Sequence, residues 1–268
     1  ENEQDYDKVD VLAMQECLDK VMAGYKDTIA TIPYTKTGYI RRELRKSCRQ
    51  DKDYRKKYFR NTEMDEELYK AMHEAYAGGY THNNRFLRDK LVTGLIGHRD
   101  FKSHYPSQMT CYEFPVGKPE KIYDIEKCNY YVSIEDSLAQ YPEYSTLTTI
   151  VIYRAILKDV NTTMPVLAYA RCVGKSTHSL VDNGRVIMIE SEEGLVGNFT
   201  NQDLEMINKQ YDLDYAIVKV WRMKNDRLPK CVIDVVDRAF KGKSDMKKVM
   251  DLKGNPLLLF VNPWSVGM

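Results

Sequence analysis

The chain has 268 residues, which at about 150 residues per domain makes one or two domains. Hydrophobic residues supply 43% and charged residues 29%, enough apolar material for a core and a composition that excludes wholesale disorder. Lys and Arg total 40 against 39 Asp and Glu, so bulk charge selects no partner and only its distribution can.

The N-terminus, ENEQDYDKVD, is acidic and polar and does not read as a signal peptide, and Glu1 in place of Met suggests a piece of a longer chain. Val9, Leu12, Ala13, Cys17, Val21 and Met22 fall near helical spacing, which predicts a helix over 5–23 stopped by Gly24. From Tyr39 to Arg60 ten Lys/Arg face three acids, with Tyr39, Tyr54, Tyr58 and Phe59 interleaved. Thr62 is a candidate N-cap, with Glu63, Asp65, Glu66 and Glu67 favouring the positive end of a helix that runs to Ala75 and breaks at Gly78-Gly79. A strand is expected over Leu91–Asp100 and a short helix over Pro106–Cys111. Further strands are expected over 147–157, 166–173, 179–181, 186–190 and 216–220, with Asn183-Gly184 as a hairpin turn. Thr200 caps a helix over 201–211, with Asp203 in the capping-box position, and another helix is expected over Cys231–Phe240. The fold class is α+β, with an antiparallel-leaning sheet and flanking helices.

Six scattered cysteines (Cys17, Cys48, Cys111, Cys128, Cys172 and Cys231) form no C-x-x-C pair and no cluster at zinc spacing, which reads as reduced thiols in a cytosolic chain. The longest apolar run near the C-terminus, Leu257–Val261, is far below the ~18 residues of a bilayer span, so no membrane partner is expected. His73, His82, His98 and His178 have no ligand partners in the pattern and read as surface, loop or strand residues. Trp221 and Trp264 read as core or interface.

Three short patterns carry chemistry. In Asp100-Phe101-Lys102-Ser103-His104-Tyr105-Pro106-Ser107 a carboxylate precedes a tight polar turn closed by proline, an arrangement that can hold a hard cation and offer backbone N–H groups to phosphate. In Tyr76-Ala77-Gly78-Gly79 paired glycines let the main chain approach a sugar-phosphate backbone. In Tyr6-Asp7-Lys8-Val9-Asp10 a phenol and a carboxylate sit four apart on one helix face. In order and spacing these resemble motif A (D-x-x-S-L-Y-P), the Y-x-G-G motif and the third exonuclease motif (Y-x-x-x-D) of family B DNA polymerases, in the protein-primed branch found in bacteriophages and linear plasmids.

That resemblance covers most of the chain and implies a layout. Residues 1–24 would be the last helix of a 3′–5′ exonuclease domain, 25–75 a basic helical linker, and 76–112 a palm piece with Y-x-G-G and motif A. Residues 113–200 would be a β-rich insertion like terminal-protein region 1, and 201–268 a return to the palm with an altered or truncated end. It implies template-directed deoxynucleotidyl transfer with Mg²⁺ (or Mn²⁺) in the host cytosol, with template and primer DNA, deoxynucleoside triphosphates and a terminal protein as partners. Asp100 would be the catalytic, metal-holding carboxylate, with the Phe101 carbonyl beside it, and N–H groups near Lys102, Ser103 and His104 would cradle the triphosphate. Tyr105 would stack under the sugar and exclude a 2′-hydroxyl. Tyr76, Gly78 and Gly79 would contact template, and Tyr6 and Asp10 would serve the exonuclease, Asp10 as a metal ligand.

The departures bear on activity. His104 replaces the usual Leu of motif A, and neither the fingers motif K-x-x-x-N-S-x-Y-G nor the D-T-D with the second catalytic Asp occurs. No D-x-E stands ahead of Tyr6; that exonuclease motif would lie before Glu1. The isolated chain is therefore expected not to polymerise; the alternative function is a non-catalytic module binding DNA and terminal protein. Within the basic linker, Arg41, Arg42, Arg45 and Lys46 are the candidate DNA contacts, its net charge of about +7 suiting several phosphates. Its plain alternative is a solvated charged helix.

Overall fold

The computed structural model describes residues 3–33, 35–54, 58, 63–76, 78, 81, 83–95, 97, 99–101 and 104–253, with backbone alone at 3–7, 36 and 243–253. The chain forms two compact units, each discontinuous in sequence: Glu1–Lys57 with Asp100–Glu113 and Arg227–Met268, and Tyr58–Arg99 with Phe114–Asp226.

The second unit is built on an antiparallel sheet. Its strands are β1 (Glu113–Pro115), β2 (Glu120–Asp124), β3 (Tyr144–Leu157), β4 (His178–Asp182), β5 (Arg185–Thr200) and β6 (Tyr211–Arg227). They run in the order β1-β6-β3-β5-β4, with β2 also on β6. Asn183 and Gly184 close the β4–β5 hairpin with φ of 48° and 73°, the left-handed pair that a two-residue turn needs. The alternation of β3 changes phase at Tyr153, where its register against both neighbours shifts between Ile152 and Arg154. The bulge moves the inward set from Thr148, Ile150 and Ile152 to Ala155 and Leu157, all buried. On β5 the same irregularity spans Ser191–Gly194. Gly194 sits at φ 84°, and a Cβ there would meet Val151 Cγ1 at 2.2 Å, so only glycine fits.

Helices α6 (Ile134–Gln140) and α7 (Asn201–Gln210) supply Ile134, Leu204 and Ile207 to a core that includes Ile150, Ile152, Phe199, Tyr211 and Ile217. Fully burying each such side chain is worth ~1.5–3 kcal/mol. Thr200 and Asp203 form the expected capping box of α7. A second, smaller cluster places Leu68, Ala71 and Ala75 of α4 (Glu66–Ala75) with Leu147 and Trp221. Here Asp65 is the N-cap, its carboxylate accepting from the Leu68 amide at 2.7 Å; Thr62 lies outside the described residues. Glu67, in the first turn, is held below its usual range by hydrogen bonds from Lys121 and Lys219.

In the first unit, α2 (Lys36–Gln50) lies against α8 (Lys230–Lys253), which also carries α5 (His104–Cys111). Cys231, Val235 and Ala239, spaced by four, form the buried stripe of α8. Ser47 on α2 donates to the Cys231 carbonyl at 3.0 Å, and the Cys48 and Cys231 sulfurs stand 3.9 Å apart. A single turn, α3 (Lys52–Tyr54), follows α2. Helix α1 (Glu3–Tyr25) forms where expected, but Val9, Val11, Leu12, Met14 and Leu18 along it are exposed.

Two expectations need correction. The described residues of Leu91–Asp100 form no strand: Leu91 and Leu95 are fully exposed and Gly94 has φ 137°, so β-branched composition found no partner strand. Residues 166–173 make only isolated bridges, Ala168 to Arg185 and Val173 to Val196, around a 3₁₀ turn at Tyr169–Arg171. β6 pairs with β3 from Tyr211 to Lys224, so the sheet takes strands from either side of residue 200.

Candidate nucleic-acid interface and catalytic motif

Within the basic stretch, α2 is an amphipathic helix. Ile40, Leu44, Ser47 and Cys48 of α2 are partly buried, while Arg41, Arg45, Lys46, Arg49 and Gln50 are exposed. The exposed side, with Pro33, Thr35 and Gly38, lines an open groove of about 690 Å³. Arg41, Arg45 and Arg49 recur every four residues with Lys46 beside them, and together they present one positive surface. Arg42 borders the same groove but is committed elsewhere. Its guanidinium donates to both oxygens of Asp27, at 2.7 and 2.9 Å, and lies 4.9 Å from the Tyr39 ring centroid. This pairing holds the Asp27 carboxyl below its ordinary range. Arg42 therefore anchors α2, and Arg49, not singled out in the sequence, takes its place in the cationic row; its spacing of four from Arg45 was the available signal.

In the same unit, Asp100 is exposed on irregular backbone, and Phe101 is 78% exposed. Helix α5 begins at His104, and Tyr105 is 62% exposed. The His104 ring lies 5.3 Å from that of Phe101 and 5.9 Å from that of Tyr105, a short aromatic ladder on the motif. Lys102 and Ser103 lie outside the described residues. Among the described residues no group of three or more His, Cys, Asp or Glu side chains could hold a metal ion. Magnesium needs carboxylates in near-octahedral geometry with substrate phosphates, and one exposed Asp100 does not by itself fit that requirement. Asp10 is exposed on α1, and the Tyr6 side chain lies outside the described ones.

In the other unit, Tyr76 is the C-cap of α4 and 83% exposed. Gly78 has φ 65°, a left-handed conformation that suits glycine, with open space around the position of a Cβ; Ala77 and Gly79 lie outside the described residues. The carbonyl of Ala75, directly before Tyr76, accepts from Arg171 Nη2 at 3.2 Å. Among the described residues no helix is long and apolar enough to cross a membrane.

The open antiparallel sheet with its flanking helices defines an α+β protein. The chain belongs to the type B DNA polymerases of the organellar and viral kind, whose family profile matches residues 1–224. Among solved structures it is similar to the phi29 DNA polymerase in an orthorhombic crystal form, at 16% identity and a TM-score of 0.59, covering 92% of this chain and 38% of that one. It is likewise similar to the phi29 DNA polymerase complexed with single-stranded DNA, at 18% identity and a TM-score of 0.56, covering 91% and 36%. The chain thus spans little more than a third of the length of the solved polymerases it matches. A search of curated proteins gives no match.

Proposed function

We propose that this chain is the central portion of a protein-primed DNA polymerase of a phage or mobile element, contributing one catalytic carboxylate and part of the DNA path. The observation that carries the reading is the family match over residues 1–224, a span that contains Y-x-x-x-D, Y-x-G-G and D-x-x-S-x-Y-P in order. In this reading Arg41, Arg45, Lys46 and Arg49 hold backbone phosphates, and Tyr76 offers an exposed ring to an unpaired base while Gly78 lets the strand pass close to the main chain. Asp100 is one of the two carboxylates on which the family's phosphoryl transfer depends, Tyr105 supports the sugar of the incoming deoxynucleotide, and Tyr6 and Asp10 belong to the proofreading site. The 113–200 segment is the surface for a terminal protein.

With no D-T-D and no fingers motif in its 268 residues, the chain by itself lacks the partner carboxylate, and no step of the reaction can be routed through a metal held here. It binds single-stranded DNA but does not extend a primer. Incubating the purified chain with primed template and labelled deoxynucleotide should give binding without incorporation. Incorporation at a rate comparable to a complete polymerase would overturn this reading.

A further inference from the structure

The β-rich 113–200 segment carries a group of polar side chains aimed at the C-terminal end of α4, which Tyr76 caps. Arg171, in the 3₁₀ turn, has a side chain only 12% exposed. Its Nη2 donates to three oxygens: the Ala75 carbonyl at 3.2 Å, the Asn198 carbonyl at 2.9 Å and Asp203 Oδ2 at 2.9 Å. Its guanidinium lies 4.6 Å from the Phe199 ring centroid. Asp203 is itself fixed by the capping box with Thr200, so the arginine is held from a rigid helix start. A second strut joins the same end of α4: Thr149 donates to Asn198 Oδ1 at 2.6 Å, and Asn198 Nδ2 donates to Glu74 Oε2 at 2.6 Å. On the far side of the Tyr76–Tyr80 stretch, Arg185 at the start of β5 donates to the Thr81 carbonyl at 3.5 Å, a longer and weaker bond, and to the Val166 carbonyl at 3.0 Å.

A charged donor shared among three acceptors is costly to bury and weak as a source of stability, and among the described residues the Arg171 Nε has no hydrogen-bond partner. Such an arrangement is better suited to fixing geometry. We propose that Arg171, through the Ala75 carbonyl, is a positioning clamp for Tyr76 at the end of α4, with Arg185 as a second hold at Thr81, keeping the Tyr76 ring where it stacks on a template base. The clamp places control of a template contact in the segment expected to dock a protein partner, so a partner bound there could set the hold on DNA. This rests on the proposed DNA contact of Tyr76.

The test uses the whole chain, a short oligo-dT and Arg171→Lys. That variant keeps the charge beside Asp203 but is one bond too short to reach the Ala75 carbonyl. Tyr76→Ala should weaken binding roughly 5- to 100-fold, the range of one base stacked on an aromatic, with an unchanged salt slope. Arg171→Lys should weaken it roughly 2- to 30-fold at an unchanged thermal midpoint, and add nothing in the Tyr76→Ala background. Amide exchange over residues 76–81 should quicken in Arg171→Lys, and to a smaller degree in Arg185→Lys. If Tyr76→Ala is silent, the DNA contact fails as a reading, while faster exchange in Arg171→Lys still supports the clamp. Unchanged affinity and exchange in Arg171→Lys beside an active Tyr76 overturns the clamp. So does a salt slope reduced by about 0.7, which would make Arg171 a phosphate contact.

Discussion

Replacing Arg41, Arg45 and Arg49 together with Gln removes three of the four exposed cations on the α2 groove and leaves Lys46. Each phosphate contact on a single strand contributes about 0.7 to the slope of log affinity against log salt, so four give about 2.8. Between about 50 and 200 mM salt that slope weakens binding about 50-fold, whereas the triple variant, with a slope near 0.7, should weaken only about threefold over the same range. Fluorescence anisotropy of labelled oligo-dT across a salt series measures both. Arg42→Gln is the control: its guanidinium serves Asp27, so the slope should stay as in the wild type while the thermal midpoint falls. A triple variant that keeps the full slope, or an Arg42→Gln chain that loses it, would refute the assignment of the groove to phosphate.

Other outcomes follow from the second unit and the thiols. Ala at Gly184, where nothing stands near a Cβ, should cost about 1 kcal/mol through its positive φ alone. Ala at Gly194 adds a collision with Val151 Cγ1 and should cost a further ~1–3 kcal/mol, both read from urea unfolding. The Asp203 carboxyl is partly buried, which favours its neutral form, but hydrogen bonds and charge from Arg171 and bonds from Thr200 outweigh that and lower its pKa. Its stabilisation is complete above the ordinary carboxylate pKa of about 3.9 and is lost as pH falls below it, so thermal midpoints should drop on acidification more steeply in the wild type than in Asp203→Asn. Burial, with Cys48 and Asp51 nearby, pushes the Cys231 thiol up to about 12, and burial takes Cys172 to about 11. Alkylation at neutral pH should label exposed Cys111 first and reach Cys172 and Cys231 only on unfolding, followed by mass spectrometry.

The parts of the fold legible in the sequence are those decided by local chemistry. Asn183-Gly184 and the Thr200/Asp203 box each satisfy their own backbone, so a few residues suffice to place them. Ser133 and Asp136, which cap α6, carried the same kind of signal and were passed over. The extent of β5 was hidden because the bulge at Ser191–Gly194 breaks the period of two that marks a strand. Leu91–Asp100 failed in the opposite sense: a strand exists only where another edge accepts its hydrogen bonds, and composition cannot say where that edge is. For the site, charge density located α2, but the separation of Arg42 from its neighbours depended on Asp27, 15 residues earlier across a turn. Arg171 gave no signal at all, since its partners are Ala75, Asn198 and Asp203, brought together only by the fold.

The central proposal is that Asp100 belongs to a polymerase centre whose second carboxylate and fingers motif this chain does not contain. It is tested most directly by Asp100→Asn in a polymerase chain that also carries D-T-D and the fingers motif, assayed in parallel for nucleotide incorporation and for binding to primed DNA. The expected result is incorporation lost with DNA affinity within about twofold of the parent, since that substitution removes an exposed carboxylate and no cation. Incorporation at the parental rate would contradict the assignment.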